Sequence, residues 1–237
     1  APVTVCYDTA KCTMRCAWTG GLLKFGDRRY GITSAPEIDG DVQFTCSSVG
    51  WGKGEQKYRG LHQAGNLVVL AYSVDGVEML ESPWLNATGD VTSFARSFHI
   101  APHDQPLSLA LVERPGKRTI VTQDRHARYE KDGQVLSVAL KSATDGVHLQ
   151  HNLDSVTLRI DPSDKPATFT LRMAKCAEAA EESIDELIVA GRLYQSLPSL
   201  ADRRKIPTKP LWPKWIAAGG TLGKGEGPYI VDTINVP

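Results

Sequence analysis

The sequence has no excess charge of either sign and no long apolar run. Lys and Arg total 27 residues, Asp and Glu total 27, and the formal net charge is zero. A binder of nucleic acid neutralises phosphates with an excess of basic residues, so we expect no nucleic-acid partner. Leu67–Ala71 is far shorter than the roughly 20 residues of a membrane-spanning helix, so we expect no membrane span. The opening residues, Ala1–Val5, have neither the basic nor the apolar region of a signal peptide.

Sequence motifs for common catalytic and cofactor sites are also missing. The chain has no G-x-S-x-G, G-x-x-x-x-G-K-[ST], H-E-x-x-H or strand-linked G-x-G-x-x-G motif. It has no C-x-x-C-H and no paired C-x-x-C, so we predict neither a c-type haem nor a structural zinc in it. We therefore assign no cofactor and no metal, and the sequence leaves open whether the protein is an enzyme.

Cysteine is scarce and odd in number, with five residues at positions 6, 12, 16, 46 and 176. Cys12 and Cys16 would lie roughly 13 Å apart on a strand, which is too far for a disulfide. A bridge from Cys6 or Cys12 to Cys46 across neighbouring strands is one interpretation. Buried free thiols are the other.

Short alternating segments separated by turn residues dominate the first three-quarters of the chain. Leu67–Val74 is apolar and β-branched, and Asp75-Gly76 then predicts a two-residue hairpin turn before Val77–Ser82. About a dozen such segments, spaced by about 8–12 residues, predict two packed antiparallel sheets. The predicted fold is mainly β: a two-sheet β-sandwich domain over residues 1–175.

The composition changes after Met173. Ala177–Tyr194 has apolar residues near helical spacing, with acidic residues at its start, and predicts the one helix of the chain. Residues 198–213 are rich in Pro and basic side chains, and residues 219–237 begin with several glycines. We predict that residues 176–237 form a helix and an extended arm that pack on the sandwich or lead to a following domain.

Aromatic residues near glycines form the first candidate binding site. Trp18 precedes Gly20-Gly21, and Trp51 lies between two glycines. Tyr58 and Trp84, like them, are predicted at strand ends or in loops. A ring beside glycine can stand exposed and stack on a sugar face. The alternative is that these rings are ordinary buried or loop-anchoring side chains.

Polar residues form the second candidate site. Arg59 and His62 precede the apolar segment at Leu67, and Asp8 and Glu81 could complete a set of contacts to hydroxyls or to a carboxylated ligand. The alternative is a structural Arg–carboxylate pair.

Four phrases resemble a known group of proteins: Val5–Thr9, Ala17–Gly21, Tyr58–Leu61 and Pro228–Thr233. In this order they resemble the N-terminal region of large exported proteins of planctomycetes and verrucomicrobia. Those proteins typically continue into a sorbosone-dehydrogenase-like β-propeller and a c-type cytochrome domain. The resemblance implies a periplasmic or extracellular location and a propeller or cytochrome domain as partner, and it supplies no catalytic residues.

Three functions agree with these features. The first is an extracytoplasmic carbohydrate-recognition or accessory module of a sugar-oxidising system, holding a glycan through Trp, Tyr and polar groups. The second is a carbohydrate-active hydrolase or lyase with acid and base groups among Asp8, Arg59, His62 and Glu81. The third is a structural domain that docks on a propeller or a partner subunit. Exposure of Trp18, Trp51 and Trp84 distinguishes the first from the third.

Overall fold

The computed structural model describes residues 3–26, 35–64, 67–88, 91–113, 118–122, 125–131, 134–151 and 155–177. The described part contains fourteen strands, numbered in chain order. They are β1 (Val3–Asp8), β2 (Thr13–Lys24), β3 (Glu37–Thr45), β4 (Gln56–Ala64), β5 (Leu67–Val74), β6 (Val77–Thr88), β7 (Val91–Ile100), β8 (Leu107–Glu113), β9 (Arg118–Thr122), β10 (His126–Lys131), β11 (Gln134–Ser142), β12 (Val147–His151), β13 (Ser155–Ile160) and β14 (Ala167–Ala177).

The strands form three antiparallel sheets. The N-terminal sheet has the order β1-β2-β3, the large sheet has the order β4-β5-β6-β7-β14-β11-β10-β9, and the small sheet has the order β12-β13-β8.

The predicted mainly β, antiparallel architecture is confirmed. The first residue of the helix predicted over 177–194, Ala177, is the last residue of β14. The rest of that segment and the arm that follows lie outside the described residues. Within the described ranges, no helix is long and apolar enough to cross a membrane.

The hairpin of β5 and β6 forms where the sequence predicts it. Val74 pairs with Val77 across the turn. Asp75 and Gly76 both have positive φ, at 49° and 83°, as the tight hairpin turn requires. The strand β4 was not predicted: its residues Arg59 and His62 were interpreted only as members of a polar site. β4 is an edge strand of the large sheet, with a register shift between Tyr58 and Gly60.

One face of the large sheet, called the inner face, packs against the other two sheets. The Phe44 ring of β3 meets the Phe94 ring of β7 edge-on at 5.1 Å, and β12 contacts β10 and β11. The segment after β3 joins the two smaller sheets, since Ser47 donates to the Leu111 carbonyl and Gly50 accepts from the Ala110 amide, both at 2.9 Å. Residues from all three sheets therefore enclose one hydrophobic core.

The opposite face of the large sheet, called the outer face, consists mainly of small and polar side chains. Successive side chains of a strand point to opposite faces. The residues that alternate with core residues along each strand therefore form the outer face. They are at most 2% exposed and include Val69, Ala71, Ser73, Ser82, Ser93, Ala95, Ser97, Thr170, Arg172 and Ala174. The apolar members among them do not belong to the core cluster of the described residues. The outer face is therefore a second buried surface, separate from the core.

Phe98 lies at the centre of the core and should be essential for stability. Its ring is fully buried and stacks on Phe169 at 4.9 Å. We expect Phe98→Ala to lower the free energy of unfolding by about 3–5 kcal/mol, because it leaves a cavity. Urea denaturation measures this, with exposed Val49→Ala as a control expected to change it by about 0.5 kcal/mol or less. Equal effects of the two variants would contradict the assigned core.

Candidate functional site

An apolar groove lies between the N-terminal sheet and the end of the large sheet formed by β4 to β7. Its volume is about 430 Å³, within the size range of ligand pockets. Among the residues that the structure describes, no charged side chain lines the groove, and the described lining residues are Val3, Thr4, Val5, Tyr7, Met14, Leu22, Leu23, Phe25, Leu61, Val68, Leu70, Pro83, Trp84, Leu85, Phe94 and Ala95. The groove therefore favours apolar groups over charged ones.

The rim of the groove exposes large apolar side chains to solvent. Leu22 is 49% exposed, Phe25 is 57% exposed and Leu61 is 39% exposed. Leu22 lies near the end of β2, Phe25 directly follows that strand, and Leu61 belongs to β4, so the rim combines two sheets. An exposed apolar patch of this kind is typical of an interaction site.

A buried ion pair lies next to the groove on the inner face. Arg96 donates from Nε to Oε1 of Glu81 at 2.6 Å and from Nη2 to Oε2 at 3.2 Å. Tyr7 and Tyr72 each donate a hydroxyl hydrogen bond to Glu81 Oε2, at 3.1 and 2.9 Å. Both charged side chains are fully buried, and Tyr7 connects this cluster to the groove lining.

The hydrogen bonds to Glu81 leave it poorly suited to acid–base chemistry. Burial, followed by the nearby Glu81 charge, raises the pKa of Tyr7 and of Tyr72 above the usual tyrosine range. Both phenols therefore remain donors to the carboxylate at neutral pH. Glu81 accepts from three side chains and has no exposed surface, which indicates a structural role.

The expectation that Trp18 and Trp51 stand exposed is wrong. Trp18 is 3% exposed and donates from Nε1 to the Gly21 carbonyl at 2.9 Å. Trp51 is 5% exposed and donates to the Cys12 carbonyl at 3.1 Å. Gly50 and Gly52 lie in the turn around Trp51, whereas Gly20 and Gly21 lie within β2, where its pairing with β3 is irregular. Both rings are buried, so neither offers a face to a sugar.

Trp84 is half-buried and takes part in a polar network on the outer face. Its Nε1 donates to Ser97 Oγ at 2.8 Å, and Ser97 Oγ lies 2.9 Å from Thr170 Oγ1. The Arg172 guanidinium lies 4.8 Å from the Trp84 ring centroid, a cation–π distance. Residue Trp84 also borders the groove, although its ring packs on the outer face, so among Trp18, Trp51 and Trp84 it alone lies next to an open site.

The predicted polar set of Asp8, Arg59, His62 and Glu81 does not form one site. Asp8 Oδ1 accepts from the amides of Ala10 and Lys11 at 2.9 and 3.0 Å and so closes the β1–β2 turn. Arg59 pairs with Glu78 at 3.5 Å on the surface, not with Glu81.

Two further predicted residues lie on the edge strand β4. Tyr58 is 37% exposed, and burial raises its pKa. His62 is half-buried. Neither residue lines the groove, and their ligand-binding role stays a prediction.

A second, shallower cleft lies near the start of β6 and the end of β7. It has a volume of about 800 Å³ and a more polar lining, which includes Glu78, His103, Asp104, Ser163 and Asp164. His103 Nδ1 lies 3.0 Å from the Ala101 carbonyl, and the buried His103 Nε2 has no hydrogen-bond partner.

Across the described strands and loops, no group of three His, Cys, Asp or Glu side chains is placed to hold a metal ion.

Neither the groove nor the partners of Glu81 were predicted from the sequence pattern. The sequence does not distinguish the apolar residues Leu22, Leu23 and Phe25 from core residues. Only the packing of the two sheets shows that Leu22 and Phe25 stay exposed. Arg96 faces Pro83, two residues along β6 from Glu81. An acidic and a basic residue at diagonal positions of a predicted hairpin would have indicated the Glu81–Arg96 ion pair.

Comparison with known proteins gives one family match and a distant structural likeness. Residues 5–81 match the model of a domain of unknown function (DUF6797). This segment runs from β1 into β6 and includes the N-terminal sheet. No curated protein matches the chain.

A solved structure described as "Putative kojibiose phosphorylase from human microbiome" shares 11% sequence identity with the chain, at a TM-score of 0.37. The alignment covers 81% of this chain and 30% of that one. The chain thus spans less than a third of that protein.

Glu81→Gln should strongly destabilise the fold, because it removes the charge that compensates buried Arg96. We expect the free energy of unfolding to fall by about 3–5 kcal/mol. Glu78→Gln is the matched control: it removes the exposed partner of Arg59 and should cost at most about 1 kcal/mol. Denaturant unfolding of both variants measures the difference, and similar values would show that the buried pair is not structural.

Proposed function

We propose that this β-sandwich is a non-catalytic docking domain that binds an apolar segment of an adjoining protein domain in its groove. The observation that carries the proposal is the uncharged groove with Leu22, Phe25 and Leu61 exposed at its rim. Covering such side chains removes apolar surface from water at about 25 cal/mol per Å². A few aliphatic or aromatic side chains of a partner would fill a site of this size and anchor the contact.

The groove suits a protein segment better than a glycan. A sugar presents hydroxyls that need hydrogen-bond partners, and burying them without partners is costly. Thr4 and Tyr7 supply the side-chain hydroxyls of the lining, and the Tyr7 hydroxyl already donates to Glu81. Apolar side chains of a partner have no such requirement.

The enzyme alternative has little support from the geometry. Asp8 caps a turn, Arg59 lies in a surface pair, and Glu81 is sealed in the core. A hydrolase needs an acid and a base that face one substrate site, and the predicted groups do not face one.

Glycan recognition stays a second candidate, at the shallow cleft rather than at the predicted aromatic residues. Asp104 and Asp164 are exposed in that cleft, and carboxylates accept hydrogen bonds from sugar hydroxyls. The described residues that line this cleft include no Phe, Tyr or Trp, so they supply no ring for stacking.

The resemblance noted above indicates which partners to consider. A propeller or a cytochrome domain of the same exported system would be the domain that docks, in the periplasm or outside the cell. An apolar segment on the surface of such a domain is the chemistry that the groove fits.

The groove itself is tested with the apolar dye anilinonaphthalene sulfonate as the probe. We expect Leu22→Asp combined with Phe25→Asp to weaken dye binding at least about tenfold, because both changes put charge at the apolar rim. Val49→Asp is the matched control, since Val49 is as exposed as Leu22, at 49%, and does not line the groove. Fluorescence titration gives the affinities.

Two outcomes would contradict the docking proposal. One is dye binding that is insensitive to the Leu22 and Phe25 changes. The other is calorimetric binding of a neutral glycan that is lost in Trp84→Ala, which would make the groove a sugar site. Glycan binding that is instead lost in Asp104→Asn with Asp164→Asn would support the second candidate at the shallow cleft.

A further inference from the structure

Two cysteines face each other across the first hairpin. Cys6 of β1 pairs with Cys16 of β2 in the antiparallel register, and both are free thiols. Facing residues of antiparallel strands have Cα atoms about 4.5–5.5 Å apart. That separation lies inside the range of about 4.4–6.8 Å that disulfides span.

Exposure separates this pair from the other described cysteines. Cys6 is exposed and Cys16 is half-buried, whereas Cys12 and Cys46 are buried. Burial raises the pKa of Cys12 and of Cys46 to about 11, so those thiols stay protonated and out of reach. Thiol–disulfide exchange depends on access to the attacking sulfur, which Cys6 has.

We propose that Cys6 and Cys16 are an oxidisable pair whose disulfide fastens β1 to β2 at the wall of the groove. A small-molecule disulfide is the oxidant. The Cys6 thiolate attacks it, breaks its S–S bond and releases one thiolate, which leaves a mixed disulfide on Cys6. The Cys16 thiolate then attacks the Cys6 sulfur and releases the second small thiolate. In total, two cysteine thiols lose two protons and two electrons, and one oxidant molecule is reduced to two thiols.

The position of the pair gives the bond a consequence for the groove. Val3, Thr4 and Val5, directly before Cys6, line the groove. β1 is the edge strand of its sheet, and among the described strands its backbone pairs with β2. A covalent link at Cys6 would therefore hold the lining segment in place. This inference does not depend on what the groove binds.

Mass spectrometry of the full chain treated with oxidised glutathione tests the proposal. Trypsin cleaves after Lys11 and Arg15, so Cys6, Cys12 and Cys16 fall in three different peptides and the linkage can be read directly. The expected product is the Cys6–Cys16 linked pair, with the intact protein lighter by two hydrogen atoms. Cys6→Ser should abolish that product, and it should leave the unfolding midpoint of the reduced protein unchanged because Cys6 is exposed.

A second measurement uses thermal stability. A link that closes a loop of about ten residues should raise the unfolding midpoint by about 5 °C or more, and dithiothreitol should reverse the rise. Cys16→Ser, which cannot close the loop, should show no such rise. A stable glutathione adduct on Cys6 without ring closure, or a link from Cys6 to Cys12 or Cys46, would overturn the proposal.

Discussion

The ion pair between Glu81 and Arg96 is the constraint to which much of the fold is tied. Each charge is buried, and transfer of an unpaired charge from water into the interior would be prohibitive. The pair therefore requires β6 and β7 in their observed register, and the Tyr72 hydroxyl requires β5 beside them. Tyr7 extends the same requirement to β1, so that the N-terminal sheet is positioned over the large sheet by a hydrogen bond as well as by apolar packing. The groove next to Tyr7 depends on that placement.

Local patterns predicted the local structure. Alternation and the Asp75-Gly76 turn were sufficient for β5 and the start of β6, because a hairpin is determined by residues close in sequence. β4 was missed, because Lys57, Arg59 and His62 interrupt its apolar pattern, as they can in an edge strand whose side chains face solvent. Its pairing with β5 becomes evident only from the register.

The candidate site was less predictable, because each part of it combines distant residues. Trp18 and Trp51 have glycine neighbours that suit exposed and buried rings equally, and the packing of two sheets decides between them. Glu78 and Glu81 both lie on the strand after β5, and Arg59 pairs with Glu78 on the surface because Glu81 is buried on the inner face. Cys6 and Cys16 lie opposite each other because of the position of the turn between β1 and β2. Cys12, with a φ of 45°, lies in that turn, and β2 begins one residue later.

The edge strand β4 has a further consequence for behaviour at high concentration. A straight edge strand offers free backbone groups to another sheet and invites strand-to-strand association. β4 has a bulge at Tyr58–Gly60, where Gly60 has a φ of 147°, and its exposed side bears Lys57 and Arg59, each next to an acidic partner. Bent and charged in this way, the edge resists growth of the sheet into a neighbouring molecule. The apolar groove can therefore stay open to water without β4 adding a second route to association.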